Sequence, residues 1–146
     1  MFKRVFVAVL LALFATSVQS EERRLALGGW SSHWCESCMI TNKDHKIVAA
    51  EYKSWTAGYY ENSYGRDTFF VARVGRIAVS ENVNLVGSVG LSRGYRGCLS
   101  IDDGAPGKDA SVCLQAYAGI EYDKYRFVPT LKFIPFAVIF SPEIKF

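Results

Sequence analysis

One histidine and one short polar segment carry the chemistry this sequence could perform. His33 is one of two histidines and follows Gly28-Gly29-Trp30-Ser31-Ser32. The polar segment is Tyr59-Tyr60-Glu61-Asn62-Ser63-Tyr64-Gly65-Arg66-Asp67. An imidazole can take a proton from an attacking hydroxyl, and a neighbouring hydroxyl or amide can steady the oxyanion that develops. Together these groups suit acyl transfer. Asn-Ser-x-Gly is also ordinary turn chemistry, so the two segments form a site only if the fold brings them to one place.

The four cysteines, Cys35, Cys38, Cys98 and Cys113, offer a second chemistry. A four-thiolate zinc site would use them all, and a redox Cys-x-x-Cys would want a helix N-terminus beside it. Export to an oxidising compartment favours two structural disulfides instead. Their pairing stays open, because four cysteines allow about three arrangements.

The elements that must position these residues read as strands. Short alternating stretches rich in Val, Ile, Phe and Tyr are separated by turn residues, with no sustained helical period. Eight strands are expected, near residues 25–34, 46–53, 56–62, 67–79, 83–92, 111–121, 125–133 and 136–146. Alternation is clearest late in the chain. Val112, Leu114, Ala116, Ala118 and Ile120 oppose Cys113, Gln115, Tyr117, Gly119 and Glu121. Phe136, Val138, Phe140, Ile144 and Phe146 oppose Ala137, Ile139, Ser141, Glu143 and Lys145. Such strands are nearer the ~9–11 residues of a tilted membrane strand than the ~5–6 usual in soluble sheets.

Connections at 54–55, 80–82 and 122–124 are tight, whereas those at 35–45, 63–66 and 93–110 are longer or more polar. That asymmetry matches the short periplasmic turns and longer external loops of outer-membrane barrels. Trp34, Tyr52, Trp55, Tyr60, Tyr95, Tyr122 and Tyr125 fall near strand ends, as interfacial girdles require. The fold class expected is all-β, an eight-stranded antiparallel up-and-down transmembrane β-barrel, with His33 and Asn62-Ser63 both at the external rim.

Residues 1–20 read as a signal peptide: Lys3-Arg4, an apolar run, then Val18-Gln19-Ser20 before the cut. The barrel domain is then 21–146. The 146-residue chain has a net charge of +3, but Lys3 and Arg4 belong to the leader, so the exported part is near neutral. Nucleic-acid binding would need a clustered excess of Lys and Arg and is not expected. Half the residues are hydrophobic, which excludes disorder.

Ser32-His33-Trp34, Tyr60-Glu61-Asn62-Ser63-Tyr64, the segment Arg126-Phe127-Val128-Pro129 and a last strand ending in Phe146 resemble the PagP-type lipid A palmitoyltransferases. The Asn-Ser-Tyr-Gly-Arg segment is also similar to short secreted proteins of phages and proteobacteria. The first resemblance implies a monomeric outer-membrane barrel that moves an acyl chain from a phospholipid to lipid A. His33 would be the general base, Ser63 a positioning or oxyanion-stabilising hydroxyl, and Asn62 would orient His33 or the ester carbonyl. An acyl chain would enter the upper interior. The partners implied are membrane lipids, both phospholipid and lipopolysaccharide, the latter met by Arg93, Arg96, Lys108, Lys43 and Lys46 on external loops. No cofactor and no metal are implied. Asn62 departs from the Asp of that family, and only Glu21–Arg24 stand where its N-terminal helix would lie. The alternative reading is a non-enzymatic barrel whose disulfide-tied loops bind a surface partner; a soluble periplasmic barrel is a third.

Overall fold

A computed structural model describes residues 22–34, 40–95 and 112–146. The signal-peptide reading, Cys35, Cys38, Cys98, Arg96 and Lys108 lie outside these residues. The described elements are all strands: β1 (Arg23–Leu27), β2 (Trp30–His33), β3 (Val48–Tyr52), β4 (Trp55–Glu61), β5 (Asp67–Ser80), β6 (Val83–Arg93), β7 (Val112–Tyr122), β8 (Phe127–Ile134) and β9 (Ala137–Lys145). They form one antiparallel sheet in the order β1-β3-β4-β5-β6-β7-β8-β9-β2, and β1 also pairs with β9. β1 and β2 are therefore two halves of a single stave, and the sheet closes as an eight-stranded barrel. Closure leaves no exposed strand edge along this seam.

The break in the first stave sets which way its side chains point. From Ala26 to Trp30 the stave advances four residues, while β9 advances three, from Glu143 to Phe140. One extra residue is thus inserted at Gly28-Gly29, and Gly28 takes φ 81. This is a glycine β-bulge, a left-handed residue that a side chain would strain. Before it, Arg24 and Ala26 are buried; after it, Gly29 and Ser31 are buried. The inward positions switch from even to odd numbers. The sequence reading of one continuous strand at 25–34 misses this switch.

Apart from a register shift between Ala78 and Ser80 at the end of β5, the period of two holds elsewhere, and the apolar face points outward. Val48, Phe69, Val71, Leu85, Leu91, Leu114, Ile120, Phe127, Leu131, Phe133 and Phe140 are all exposed on the wall. Ser88, Ser92, Thr130, Ser141, Glu121 and Glu143 are buried within. The outer wall is thus rich in apolar side chains and the interior in polar ones. Trp34, Tyr52, Trp55, Tyr122 and Tyr125 are exposed near strand ends. Tyr60 and Tyr95 are a correction. They turn inward, where Tyr60 packs against His45, Phe70 and Tyr95.

The end of the barrel with tight turns is filled by ions. Arg76 Nε lies 2.9 Å from Glu121 Oε1, and Arg76 Nη2 donates to Glu51 Oε2 at 2.8 Å. Arg24 reaches Glu121 at 3.3 Å and Asp123 at 3.0 Å. Lys132 pairs with Glu143 at 3.1 Å, and Lys145 pairs with Asp123. Four cations here face four inward carboxylates, with the exposed Glu22 also 2.9 Å from Arg24, so the charge within the barrel balances. That is the condition under which buried ions are tolerated. Asp123 lies in the turn after β7. Burial raises its pKa, but the ammonium of Lys145 and the guanidinium of Arg24 outweigh this and hold it below the ordinary carboxylate value.

Candidate functional site

At the opposite end, where the longer connections lie, β2 and the turn after β4 meet. His33 is the last residue of β2, and Ser63 follows β4 by two positions. His33 Nε2 and Ser63 Oγ are 3.0 Å apart, and both residues are half-buried. The sequence expectation that His33 and Ser63 share a rim is met by this contact.

The contact continues into a chain of hydrogen bonds. Ser31 Oγ lies 3.3 Å from His33 Nδ1 and 2.7 Å from His45 Nε2. His45 Nδ1 lies 2.8 Å from the carbonyl oxygen of Glu61. A carbonyl can only accept, so His45 Nδ1 is the donor. With both rings neutral, the remaining protons follow in order. His45 Nε2 accepts from the Ser31 hydroxyl, Ser31 Oγ accepts from His33 Nδ1, and His33 Nε2 accepts from the Ser63 hydroxyl. One backbone carbonyl thereby presents the lone pair of His33 to Ser63. This is the arrangement of a serine and its general base, with Ser31 and His45 in the orienting position a carboxylate often fills.

Ser31 and His45 were not singled out from sequence. His45 stands twelve positions from His33 in a connection rather than a strand. The available signal was that it is the only other histidine. Ser31 shares a face with His33 two residues on, which the period of two already dictates. The loop is held by the first stave: His45 N donates to Gly29 O at 2.8 Å and Ser31 N to Lys43 O at 2.9 Å. His45 is consequently buried.

Asn62 does not meet His33. It is 0% exposed, and its four hydrogen-bonding positions serve the turn. Nδ2 donates to Thr68 Oγ1 and to Gly94 O, each at 3.0 Å. Oδ1 accepts from Tyr64 N at 2.9 Å and Arg66 N at 3.2 Å. Its geometry is that of an Asx turn, which fixes where Ser63 sits. The role of orienting His33, expected of Asn62, falls to Ser31 instead.

Comparison with models of protein families and with curated protein sequences finds no match to this chain. The site is therefore read from its own atoms. Among the described residues, no group of three or more His, Cys, Asp or Glu side chains is arranged to hold a metal ion. Cys113 is buried in β7 and is not a free thiol. Lys46 is taken up by Glu61 at 2.8 Å, and this hydrogen bond raises its pKa. Tyr95, beyond the end of β6, has its pKa raised by burial. Its ring packs on Tyr60 and Tyr64 beside the site.

Proposed function

We propose that this chain is an outer-membrane acyltransferase that moves an acyl chain from a phospholipid to lipid A, with Ser63 and His33 at its centre. The observation that carries the reading is the 3.0 Å approach of His33 Nε2 to Ser63 Oγ at the rim of a barrel with an apolar exterior. Such an exterior suits a bilayer, since closed barrels satisfy every backbone group within the wall. The rim then stands near the level where phospholipid esters lie.

The steps follow from the proton assignment. His33 Nε2 takes the Ser63 proton as Ser63 Oγ attacks the acyl carbonyl carbon. The imidazolium keeps its Nδ1–H on Ser31, which holds the ring in place. Collapse of the tetrahedral intermediate breaks the bond to the glycerol oxygen, and Nε2–H protonates that oxygen. A hydroxyl of the acceptor then gives its proton to Nε2 and attacks the Ser63 ester, restoring Ser63. A wall feature supports access from the side. β7 pairs with β6 up to Val112, but its pairing with β8 covers only Ala118–Glu121. The β8–β9 hairpin turns back at residues 135–136, so β7 runs on beyond it toward Val112.

Mass spectrometry of lipid A tests the reading. Cells carrying the protein, with a chelator step to bring phospholipid to the outer leaflet, should show an acyl-sized mass gain. His33→Ala and Ser63→Ala, at equal folded amounts in the membrane, should lower it by about 10²–10⁴-fold. A mass gain that survives both substitutions, or no gain from a barrel folded in the membrane, would reject the enzyme.

A further inference from the structure

The outer wall at the tight-turn end has a feature that acyl transfer does not use. Cross-strand register aligns Arg23, Tyr52, Trp55 and Arg73 in one row over β1, β3, β4 and β5. The next row toward the rim is Leu25, Ala50, Ala57 and Val71, and the one beyond it is Leu27, Val48, Tyr59 and Phe69. The middle row is shallow because its two central residues are alanines between rows of larger side chains. Two grooves result. One, of about 350 Å³, runs over Ala50, Ala57 and Val71 beside Tyr52 and Trp55. The other, of about 480 Å³, runs over Leu25 and Ala50 beside Tyr52, Arg23 and Phe146.

Cations border this shelf. Arg23 and Lys53 both lie over the Tyr52 ring, at 5.5 and 5.2 Å, and Arg73 lies over Trp55 at 5.5 Å. Stacking holds the three charges close to the wall without neutralising them. Among the described residues none of the three pairs with a carboxylate. Glu51, Glu121, Asp123 and Glu143 are turned inward, where Arg24, Arg76, Lys132 and Lys145 occupy them, and of the exposed acids of this end Glu22 is bound by Arg24 while Glu81 lies in the β5–β6 turn, away from the shelf. The outside is left with unmatched positive charge next to an apolar depression.

We infer that this shelf seats a glycerophospholipid with an anionic headgroup. The phosphate lies between Arg23 and Lys53 beside Tyr52, and an acyl chain lies along the floor made by Ala50 and Ala57. Charge complementarity selects this occupant: an apolar partner alone would leave three cations unpaired, and a zwitterionic lipid brings its own cation to them. The inference rests on the proposal that the outer wall lies in a bilayer.

The test uses the full exported chain, refolded into phosphatidylcholine vesicles and into vesicles of phosphatidylcholine and phosphatidylglycerol in equal parts. Gel migration that changes on boiling reports insertion in each. Native mass spectrometry after detergent extraction then reports the lipid retained. Phosphatidylglycerol should be retained in roughly fivefold or greater preference. Joint substitution Arg23→Gln, Lys53→Gln and Arg73→Gln, which leaves both rings in place, should bring the ratio close to one. Ala57→Phe should lower retention of both lipids by filling the floor. Insertion with equal retention, or a preference that survives the joint substitution, overturns the inference and leaves the bilayer reading standing. Absence of insertion in either vesicle overturns the bilayer reading and the inference with it. If the joint variant does not insert, the single substitutions are read instead, and a preference untouched by all of them overturns the inference.

Discussion

At the scale of single residues, the carbonyl of Glu61 decides the proton on four side chains. Its distance of 2.8 Å from His45 Nδ1 propagates through Ser31 to leave a lone pair on His33 Nε2 facing Ser63. Removing Ser31 or His45 frees the His33 ring to rotate and to change tautomer, without touching the reacting atoms. Ser31→Ala and His45→Gln should therefore lower kcat of acyl transfer with little change in KM, and by less than His33→Ala does. Steady-state kinetics with a short-chain phospholipid in detergent would show this split, and a loss expressed in KM alone would count against the orienting role. Asn62 makes the opposite case. Replacing its amide with a carboxylate by Asn62→Asp removes two donors and sets an anion against the carbonyl of Gly94. The expected cost is about 1–3 kcal/mol of stability, read by urea unfolding in vesicles, with no gain in rate. The meeting of His33 and Ser63 was legible in the sequence because each falls where a strand gives way to a longer connection at the same end. Asn62 was misassigned because its type suits both a site and a turn, and only buried donors and acceptors distinguish the two.

At the scale of elements, the Gly28-Gly29 bulge is what turns the site inward. If the same residues ran as a regular strand with no bulge, the alternation that buries Arg24 and Ala26 would carry Ser31 and His33 to the outer wall and Trp30 to the inside. The bulge thus converts a strand that begins by building the ion network into one that ends by building the site. Gly28 holds φ 81, and a Cβ there would meet the Trp30 ring at 3.3 Å. A left-handed conformation costs an L-residue ~1–2 kcal/mol. Gly28→Ala should lower stability by about that amount and reduce transfer further through displacement of Ser31. Parallel unfolding and transfer assays would separate the two losses, and unchanged stability would mean the backbone there is not constrained. Strand number and the outward set of β6 to β9 were readable from period-two alternation. The bulge was not, because Gly-Gly before Trp30 is compatible with a continuous strand, and the inserted residue is visible only against β9.

At the scale of the whole molecule, the barrel divides into a rim that holds the histidine–serine hydrogen-bond chain and a base that holds charge. The apolar wall was legible as one greasy face per strand, but its outward direction followed only from the membrane-barrel expectation, since period two alone cannot say which face points in. The ion network settles the direction physically, because Glu121 at 0% exposure is tenable only where Arg76, Arg24 and Asn84 surround it. That network also ties the chain ends to the turns: Asp123 in the β7–β8 turn reaches Arg24 of β1 and Lys145 of β9. Its pKa is depressed in the folded state. The stability it contributes is therefore present above the unfolded carboxylate value near ~3.9 and is lost as pH falls through the lower folded value. Unfolding followed from neutral pH down to strongly acidic buffer should show a loss confined to the region below about pH 4. Asp123→Asn should be less stable at neutral pH and should lack most of that acid limb. A variant that keeps the full acid limb would relieve Asp123 of its part in closing the barrel.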